Sequence, residues 1–320
     1  WNTTPVQTTN PATGLAAGNY TVTVTDQKGC FTTRDTTVLE PVILSVDTAF
    51  QDSVSCNGLF DGSASVLGAG GNGIYSYLWS DGQTTATASN LTAGTYNVTI
   101  TDQKGCFKDT SVTVLEPDAL SVDTSFQDSV SCNGLFDGSA SILGAGGNGI
   151  YTYLWSDGQT TATASNLTAG TYNVTITDQK GCFKDTSVTV LEPDALSIDT
   201  SFQDSVSCNG LFDGSASILG AGGNGIYTYL WSDGQTTATA SNLTAGTYNV
   251  TITDQKGCFK DTSVTVLEPN VLVIDTTAQD TVSCNGLFDG SASVSVIGGN
   301  GIYSYLWSDG QTTDTATTLT

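Results

Sequence analysis

The sequence repeats itself at a fixed period. Four tryptophans recur at a constant spacing, at Trp79, Trp155, Trp231 and Trp307. Residues 118–193 and 194–269 are identical except for Val122 and Ile198, and each segment is one period long. A repeat at fixed period predicts an array of similar structural units, and this constrains the fold more than any other feature of the chain.

The length of the period predicts separate domains. Residues 42–117, 118–193 and 194–269 are complete repeats, residues 1–41 are the C-terminal part of one, and residues 270–320 are the N-terminal part of another. Solenoid repeats of about 20–45 residues bury a core only by stacking, whereas about 60 residues or more can enclose a core of their own. We expect small domains strung together, in a window cut from a longer array.

Within a repeat, apolar residues alternate with polar ones. Tyr96, Val98 and Ile100 fall on one face of a strand, and clusters of Gly, Asn and Asp interrupt such runs about every 8–12 residues. About seven strands per repeat predict an all-β fold, a tandem array of immunoglobulin-like β-sandwich domains. The joint 115–120 contains Pro117 and no Gly-Ser tract, so the array is predicted to form a semi-rigid rod.

Two aromatic positions strengthen the sandwich prediction. The segment from Leu91 to Tyr96 has the form of a tyrosine corner, and Trp79 lies on the strand where immunoglobulin-like domains bury a tryptophan. We interpret both aromatic side chains as core residues and not as part of a ligand site.

The composition excludes several functions. The chain has 31 acidic and 8 basic residues, a net charge of −23, and no His. Such charge disfavours nucleic acid and anionic membrane surfaces, and no apolar run approaches the roughly 20 residues that span a bilayer. Without His there is no Ser-His-Asp triad or Cys-His pair, and we predict that the chain is not an enzyme.

Each complete repeat has two cysteines, which predicts disulfides in an oxidising compartment. Even the closest cysteines, such as Cys30 and Cys56, are too widely spaced for a zinc motif. We favour bonds within each repeat, because each small core needs its own cross-link. A bond between neighbouring repeats is the alternative, because the two cysteines of one immunoglobulin-like domain would lie at opposite ends. The favoured pairs are Cys56–Cys106, Cys132–Cys182 and Cys208–Cys258, and the alternative is Cys56–Cys182.

Calcium is a weak candidate ligand. Asp61, Asp81 and Asp102, with Asp109 and Asn57, could supply oxygen ligands, but no EF-hand pattern is present. Asp-Gly is common turn chemistry, so turns are the favoured interpretation and no cofactor is expected.

The order of short motifs in each repeat strongly resembles the SprB-type repeat of large secreted adhesins of gliding bacteria. The motifs are Val54–Gly58, Asp61–Ser63, Tyr75–Ser80, Leu91–Tyr96 and Asp102–Cys106. The resemblance implies export by the type IX secretion route, a cell-surface or extracellular location and an adhesive or filamentous role. It implies no catalytic residues.

The resemblance also implies O-glycosylation, because bacteria of this kind modify Asp-(Ser/Thr)-aliphatic motifs. An exposed hydroxyl on an edge strand is the equally favoured alternative. The candidate hydroxyls are Ser53, Ser129, Ser205, Thr281, Thr48, Thr36, Thr276 and Thr315.

Near-identity of neighbouring repeats predicts a function that increases with copy number, such as reach, stiffness or multivalency. The favoured function is the stalk of a giant extracellular adhesin or surface filament. It would reach surface polysaccharide or other cells through regions outside this window. The alternatives are a self-assembling fibre or sheath and, less favoured, an array of carbohydrate-binding modules.

Overall fold

The computed structural model describes residues 1–320 and contains 23 β-strands and no helix. No element of it is a helix that could cross a membrane. The strands are β1 (Gly18–Thr25), β2 (Phe31–Val38), β3 (Ser45–Asp52), β4 (Gly62–Ala69), β5 (Tyr75–Trp79), β6 (Thr87–Leu91), β7 (Gly94–Asp102), β8 (Phe107–Val114), β9 (Ser121–Asp128), β10 (Gly138–Ala145), β11 (Thr152–Trp155), β12 (Thr163–Leu167), β13 (Gly170–Thr177), β14 (Phe183–Val190), β15 (Asp194–Asp204), β16 (Gly214–Gly223), β17 (Thr228–Trp231), β18 (Thr239–Leu243), β19 (Gly246–Thr253), β20 (Phe259–Val266), β21 (Val273–Asp280), β22 (Gly290–Ile297) and β23 (Thr315–Leu319). The predicted all-β class is confirmed.

Each complete repeat contributes six strands in two three-stranded sheets. In residues 42–117 these sheets have the antiparallel orders β3-β4-β6 and β5-β7-β8. The sequence predicted about seven strands. The missing strand falls between β5 and β6, where Gln83 instead forms a local turn: its carbonyl accepts from the Trp79 N–H, and its side chain bonds the backbone of Ser89.

The two sheets of residues 42–117 share one core. Ala64 and Val66 of β4 pack with Val98 and Ile100 of β7 and with Trp79, and these side chains are almost completely buried. The alternation seen in the sequence is therefore the inside-outside alternation of a half-buried strand. Residues 194–269 build an equivalent core around Trp231.

The tyrosine corner is confirmed. The Tyr96 hydroxyl donates to the carbonyl of Thr92 at 3.1 Å, and Tyr172 and Tyr248 make the same bond in their repeats. The Trp79 indole N–H donates to the Thr85 carbonyl at 2.8 Å, so its only polar side-chain atom is satisfied inside the core.

The chain divides into two compact units. The first contains residues 1–124, 143–154 and 175–185, and the second contains residues 125–142, 155–174 and 186–320. The first unit thus includes the whole repeat 42–117, and the second includes the whole repeat 194–269.

The incomplete repeats leave apolar faces exposed. Residues 1–41 form only the β1-β2 hairpin, and Val24 is 61% exposed, whereas Ile100 at the equivalent position is buried. Residues 270–320 form the sheet β21-β22-β23, and Leu272, Val294 and Trp307 line an open groove of about 570 Å³. Both faces lack the second sheet that covers them in a complete repeat.

Candidate functional site: the junction between repeats

Disulfides join neighbouring repeats. Cys56 is bonded to Cys182 and Cys132 is bonded to Cys258, each with 5.6 Å between Cα atoms and a sequence separation of 126 residues. The favoured pairing within repeats, Cys56–Cys106, Cys132–Cys182 and Cys208–Cys258, is therefore wrong, and the alternative pairing between neighbours is the one observed. Cys106 and Cys208 are free thiols, as are Cys30 and Cys284.

The topology of one repeat explains the correction. Cys56 lies in the turn between β3 and β4, and Cys106 lies in the turn between β7 and β8. Strand β4 leads from the first turn to the loop at Asn72, and Asn72 contacts Asp102 of the second turn. The two cysteines are therefore separated by the eight-residue length of β4, roughly 26 Å. A disulfide requires Cα atoms within about 7 Å.

A hydrogen bond crosses three junctions between repeats, two of them beside a disulfide. The Asn148 side-chain amide donates to the carbonyl of Ser55 at 2.8 Å, and Asn224 donates to Ser131 at the same distance. Asn300 donates to Ser207 at 2.9 Å, although the adjacent Cys208 is a free thiol. The polar contact therefore forms with or without the covalent bond.

An aspartate holds that asparagine in place. One carboxylate oxygen of Asp178 accepts from the backbone and side-chain amides of Asn148, and the other accepts from the backbone N–H groups of Lys180 and Cys182. Burial alone would raise the pKa of Asp178, but these hydrogen bonds outweigh it and lower the pKa below its ordinary value. The same carboxylate therefore positions both Asn148 and Cys182 at the junction.

The other side of the junction is tied to the joint. In the first complete repeat, the Asn57 side chain donates to the carbonyl of Pro117, and the Gly58 N–H donates to the carboxylate of Glu116. The Val54 N–H donates to the carbonyl of Leu115. The turn that carries Cys56 is thus fixed to the segment that leads into the next repeat.

Most of the calcium candidates lie at turns, whereas Asp109 lies in strand β8. The Asp61 carboxylate accepts from the hydroxyl and the backbone N–H of Ser55, and these bonds lower the pKa of Asp61. The Asp81 carboxylate accepts from Gln83. The Asp102 carboxylate accepts a hydrogen bond from the Asn72 side chain. The Asn57 side chain donates to the carbonyl of Pro117, and the Asp109 carboxylate accepts from the hydroxyl of Thr99. The structure contains no group of three or more His, Cys, Asp or Glu that could hold a metal ion.

The candidate glycosylation hydroxyls differ in accessibility. Six of them belong to exposed residues: Ser53, Ser129, Ser205, Thr281, Thr36 and Thr276. Thr315 is half-buried, and the hydroxyl oxygen of Thr48 is buried without a hydrogen-bond partner. Glycosylation stays a prediction, and Thr48 would need local opening before it could be modified.

Sequence reasoning missed a set of exposed phenylalanines. Phe50, Phe60 and Phe107 are 63%, 67% and 68% exposed, and their equivalents in the other complete repeats are similar. Phe107 pairs with Thr101, which lies on the outward face of β7 next to the inward Ile100. That register is the only signal that could have placed Phe107 outside.

The family comparison matches the geometry repeat by repeat. The SprB repeat family matches residues 48–84, 124–160, 200–236 and 276–312. Each match begins in the strand before the Ser-Cys-Asn turn and ends after the core tryptophan or its equivalent. No curated protein matches the sequence.

Several solved structures show low similarity to this chain. Extracellular domains 3–5 of Drosophila OTK are 12% identical with a TM-score of 0.26, covering 64% of this chain and 90% of that one. The eight N-terminal Ig domains of DSCAM are 10% identical with a TM-score of 0.27, and the match covers 88% of this chain and 55% of the DSCAM chain. Bacteroides ovatus SGBP-B, in complex with a mixed-linkage heptasaccharide, is 16% identical with a TM-score of 0.18, and the match covers 78% of this chain and 76% of the SGBP-B chain. We draw no argument from similarities this low. The four sequence matches, in contrast, show that four segments of this chain belong to the SprB repeat family.

Proposed function

We propose that the chain is part of the stalk of an extracellular adhesin or cell-surface filament, with domain boundaries at residues 42, 118, 194 and 270. The observation that carries the proposal is the double connection between repeats: the polypeptide and a disulfide both join one repeat to the next. A joint with two connections resists bending and twisting more than a single linker does. Stiffness at every joint is the property that a long spacer needs.

The chemistry of the junction supports an extracellular location. Disulfides persist in oxidising compartments, and both of these bonds join separate repeats of one chain. Near-identical copies suit a role that increases with number, because reach and multivalency both grow with the number of repeats. Surface polysaccharide or other cells would be bound by regions outside residues 1–320. Type IX secretion, gliding motility and O-glycosylation belong to the same proposal.

Small-angle scattering of the intact chain tests the stalk. Four to five domains of about 30 Å each would give a rod on the order of 150 Å long, with a radius of gyration of about 43 Å. A compact globule of 320 residues has a radius of gyration of about 20 Å. A value of about 43 Å that changes little with salt supports the stalk, and a value of about 20 Å refutes it.

The exposed phenylalanines favour a second candidate, lateral assembly into a fibre or sheath. Phe50, Phe60 and Phe107 recur in every complete repeat, so neighbouring rods could bury them in register. The net charge of −23 opposes such contact until salt screens it. Sedimentation at rising ionic strength, followed by negative-stain images, should show ordered thick fibres if the rods assemble and single strands if they form a stalk.

The carbohydrate-binding array has less support. Tyr75, Tyr77 and Tyr96 pack against the core with Trp79, and none of them forms an exposed aromatic platform. A glycan array probed with the whole chain would promote this function if one glycan class bound selectively.

A further inference from the structure

We propose that the disulfides between repeats carry tension along the array, so that the polypeptide at the two joints between complete repeats, at Pro117 and Pro193, is not stretched. Each complete repeat is covalently joined to a neighbour by a bond that links residue i to residue i+126, which is more than one period ahead. A force follows the shortest covalent route between two ends. The disulfides therefore decide which residues are loaded.

The route through the middle repeat runs backwards along the sequence. Tension enters at Cys182 from Cys56, passes back to Cys132 and leaves through the bond to Cys258. The loaded segment, residues 132–182, is about two thirds of a full repeat. Residues 56–132 and 182–258 are bypassed while both bonds are present.

This route changes which strands are pulled. In a plain tandem array the force enters a domain through its first strand and leaves through its last. Here β9 precedes Cys132 and β14 follows Cys182, so both strands lie outside the loaded segment. The joint at residues 191–196, with Pro193, is also outside it. Tension acts instead on β10, β11, β12 and β13.

The covalent connectivity gives a direct estimate of length. Between Trp1 and Thr320 the polypeptide has 319 peptide steps, but the shortest route has 167 of them together with the two disulfides. At roughly 3.3–3.6 Å per residue, the fully unfolded oxidised chain should extend to about 550–600 Å, compared with about 1,050–1,150 Å after reduction.

The benefit of this arrangement rests on the proposed stalk function, although the route itself does not. In a long stalk each added repeat would contribute only about two thirds of its residues to the maximum extension, and the joints bridged by a disulfide would remain unstretched while the domains unfold. Scattering tests the stalk, and mechanical stretching tests the route, so either idea can fail alone.

Single-molecule stretching of the intact chain, held by terminal peptide tags without cysteine, tests the proposal. The wild-type chain should reach about 550–600 Å under oxidising conditions and about 1,050–1,150 Å with a thiol reductant. The double variant Cys56→Ser/Cys182→Ser should load residues 56–132 in place of residues 132–182, a net gain of 26 peptide steps or about 90 Å. The matched variant Cys106→Ser/Cys208→Ser, which removes two free thiols, should gain nothing.

Two results would overturn the proposal. An oxidised wild-type chain that reaches its reduced length would show that the disulfides carry no tension. A gain of about 100 residues, or about 340 Å, in both double variants would show that the bonds lie within repeats.

Discussion

The asparagine that crosses each junction should stabilise the neighbouring disulfide. Asn148 donates to the Ser55 carbonyl and to Asp178, whereas Asn72 makes the equivalent contact with Asp102 but no bond to another repeat. Replacing either asparagine with Ala removes its hydrogen bond to the aspartate of its own repeat. Only Asn148→Ala also removes a hydrogen bond to another repeat, the one to the Ser55 carbonyl. A neutral hydrogen bond contributes about 0.5–1.5 kcal/mol.

That difference should appear in the equilibrium for forming Cys56–Cys182. In buffers of reduced and oxidised glutathione, Asn148→Ala should lower the equilibrium constant about 2- to 12-fold, since about 1.4 kcal/mol corresponds to a factor of ten. Alkylation of the free thiols followed by peptide mass measurement gives the oxidised fraction. A Lys184→Arg background makes the peptide that carries Cys182 unique in mass.

The matched Asn72→Ala variant should leave this equilibrium unchanged. Equal shifts for the two variants would show that the asparagine acts on its own repeat and not across the junction. No shift for Asn148→Ala would show that the hydrogen bond to Ser55 adds nothing to the disulfide.

Three further predictions concern a single repeat. Gly71→Ala should lower the melting temperature more than Gly73→Ala. Both glycines have positive φ, but only at Gly71 would a Cβ lie 2.7 Å from the Asp102 carboxylate. Equal losses of melting temperature in the two variants would contradict this. Tyr96→Phe should lower the free energy of unfolding by about 0.5–1.5 kcal/mol in chemical denaturation, because the bond to the Thr92 carbonyl is lost, and an unchanged midpoint would show that the hydroxyl adds nothing. Burial opposes ionisation of Asp102, but its hydrogen bonds lower its pKa below the ordinary value of 3.8, so its contribution to stability is complete above that pH and is lost as the pH falls below it. Thermal melts from neutral to strongly acidic pH should show this acid-side loss in the wild type, and Asp102→Asn should reduce it.

The repeat and the strand pattern could be predicted because each depends on local sequence. The fixed period defined the units, and the alternation at Val98 and Ile100 identified the inward face of β7. Tyr96 and Trp79 could be assigned to the core because each occupies a recurring position in sandwich domains. The missing strand could not be foreseen, since a Gln83 side chain that bonds the backbone replaces it.

The disulfide partners could not be predicted with the same reasoning. Counting cysteines gives their number and spacing, but pairing depends on which ends of two domains meet. Within one repeat, Cys56 and Cys106 are separated by the length of β4. That distance is too long for a disulfide, so the expected cross-link within each core cannot form. The core does without the cross-link because Trp79 and the strands around it are fully packed.

The outward phenylalanines show a third limit. An aromatic residue in a strand is usually taken as core, yet Phe107 follows the register set by Thr101 and not its own hydrophobicity. Register is a property of paired strands, and one strand's sequence does not determine it.

The pairing of Cys56 is the most direct test of the whole account, and it needs one substitution. Trypsin releases the same peptide, Gly-Cys-Phe-Lys, from around Cys106, Cys182 and Cys258, so the wild-type map is ambiguous. In Lys184→Arg, an exposed position, only the peptide with Cys182 changes to Gly-Cys-Phe-Arg. A non-reduced digest should then join Gly-Cys-Phe-Arg to peptide 35–104, which carries Cys56. Finding it joined to peptide 109–180, which carries Cys132, would contradict the account.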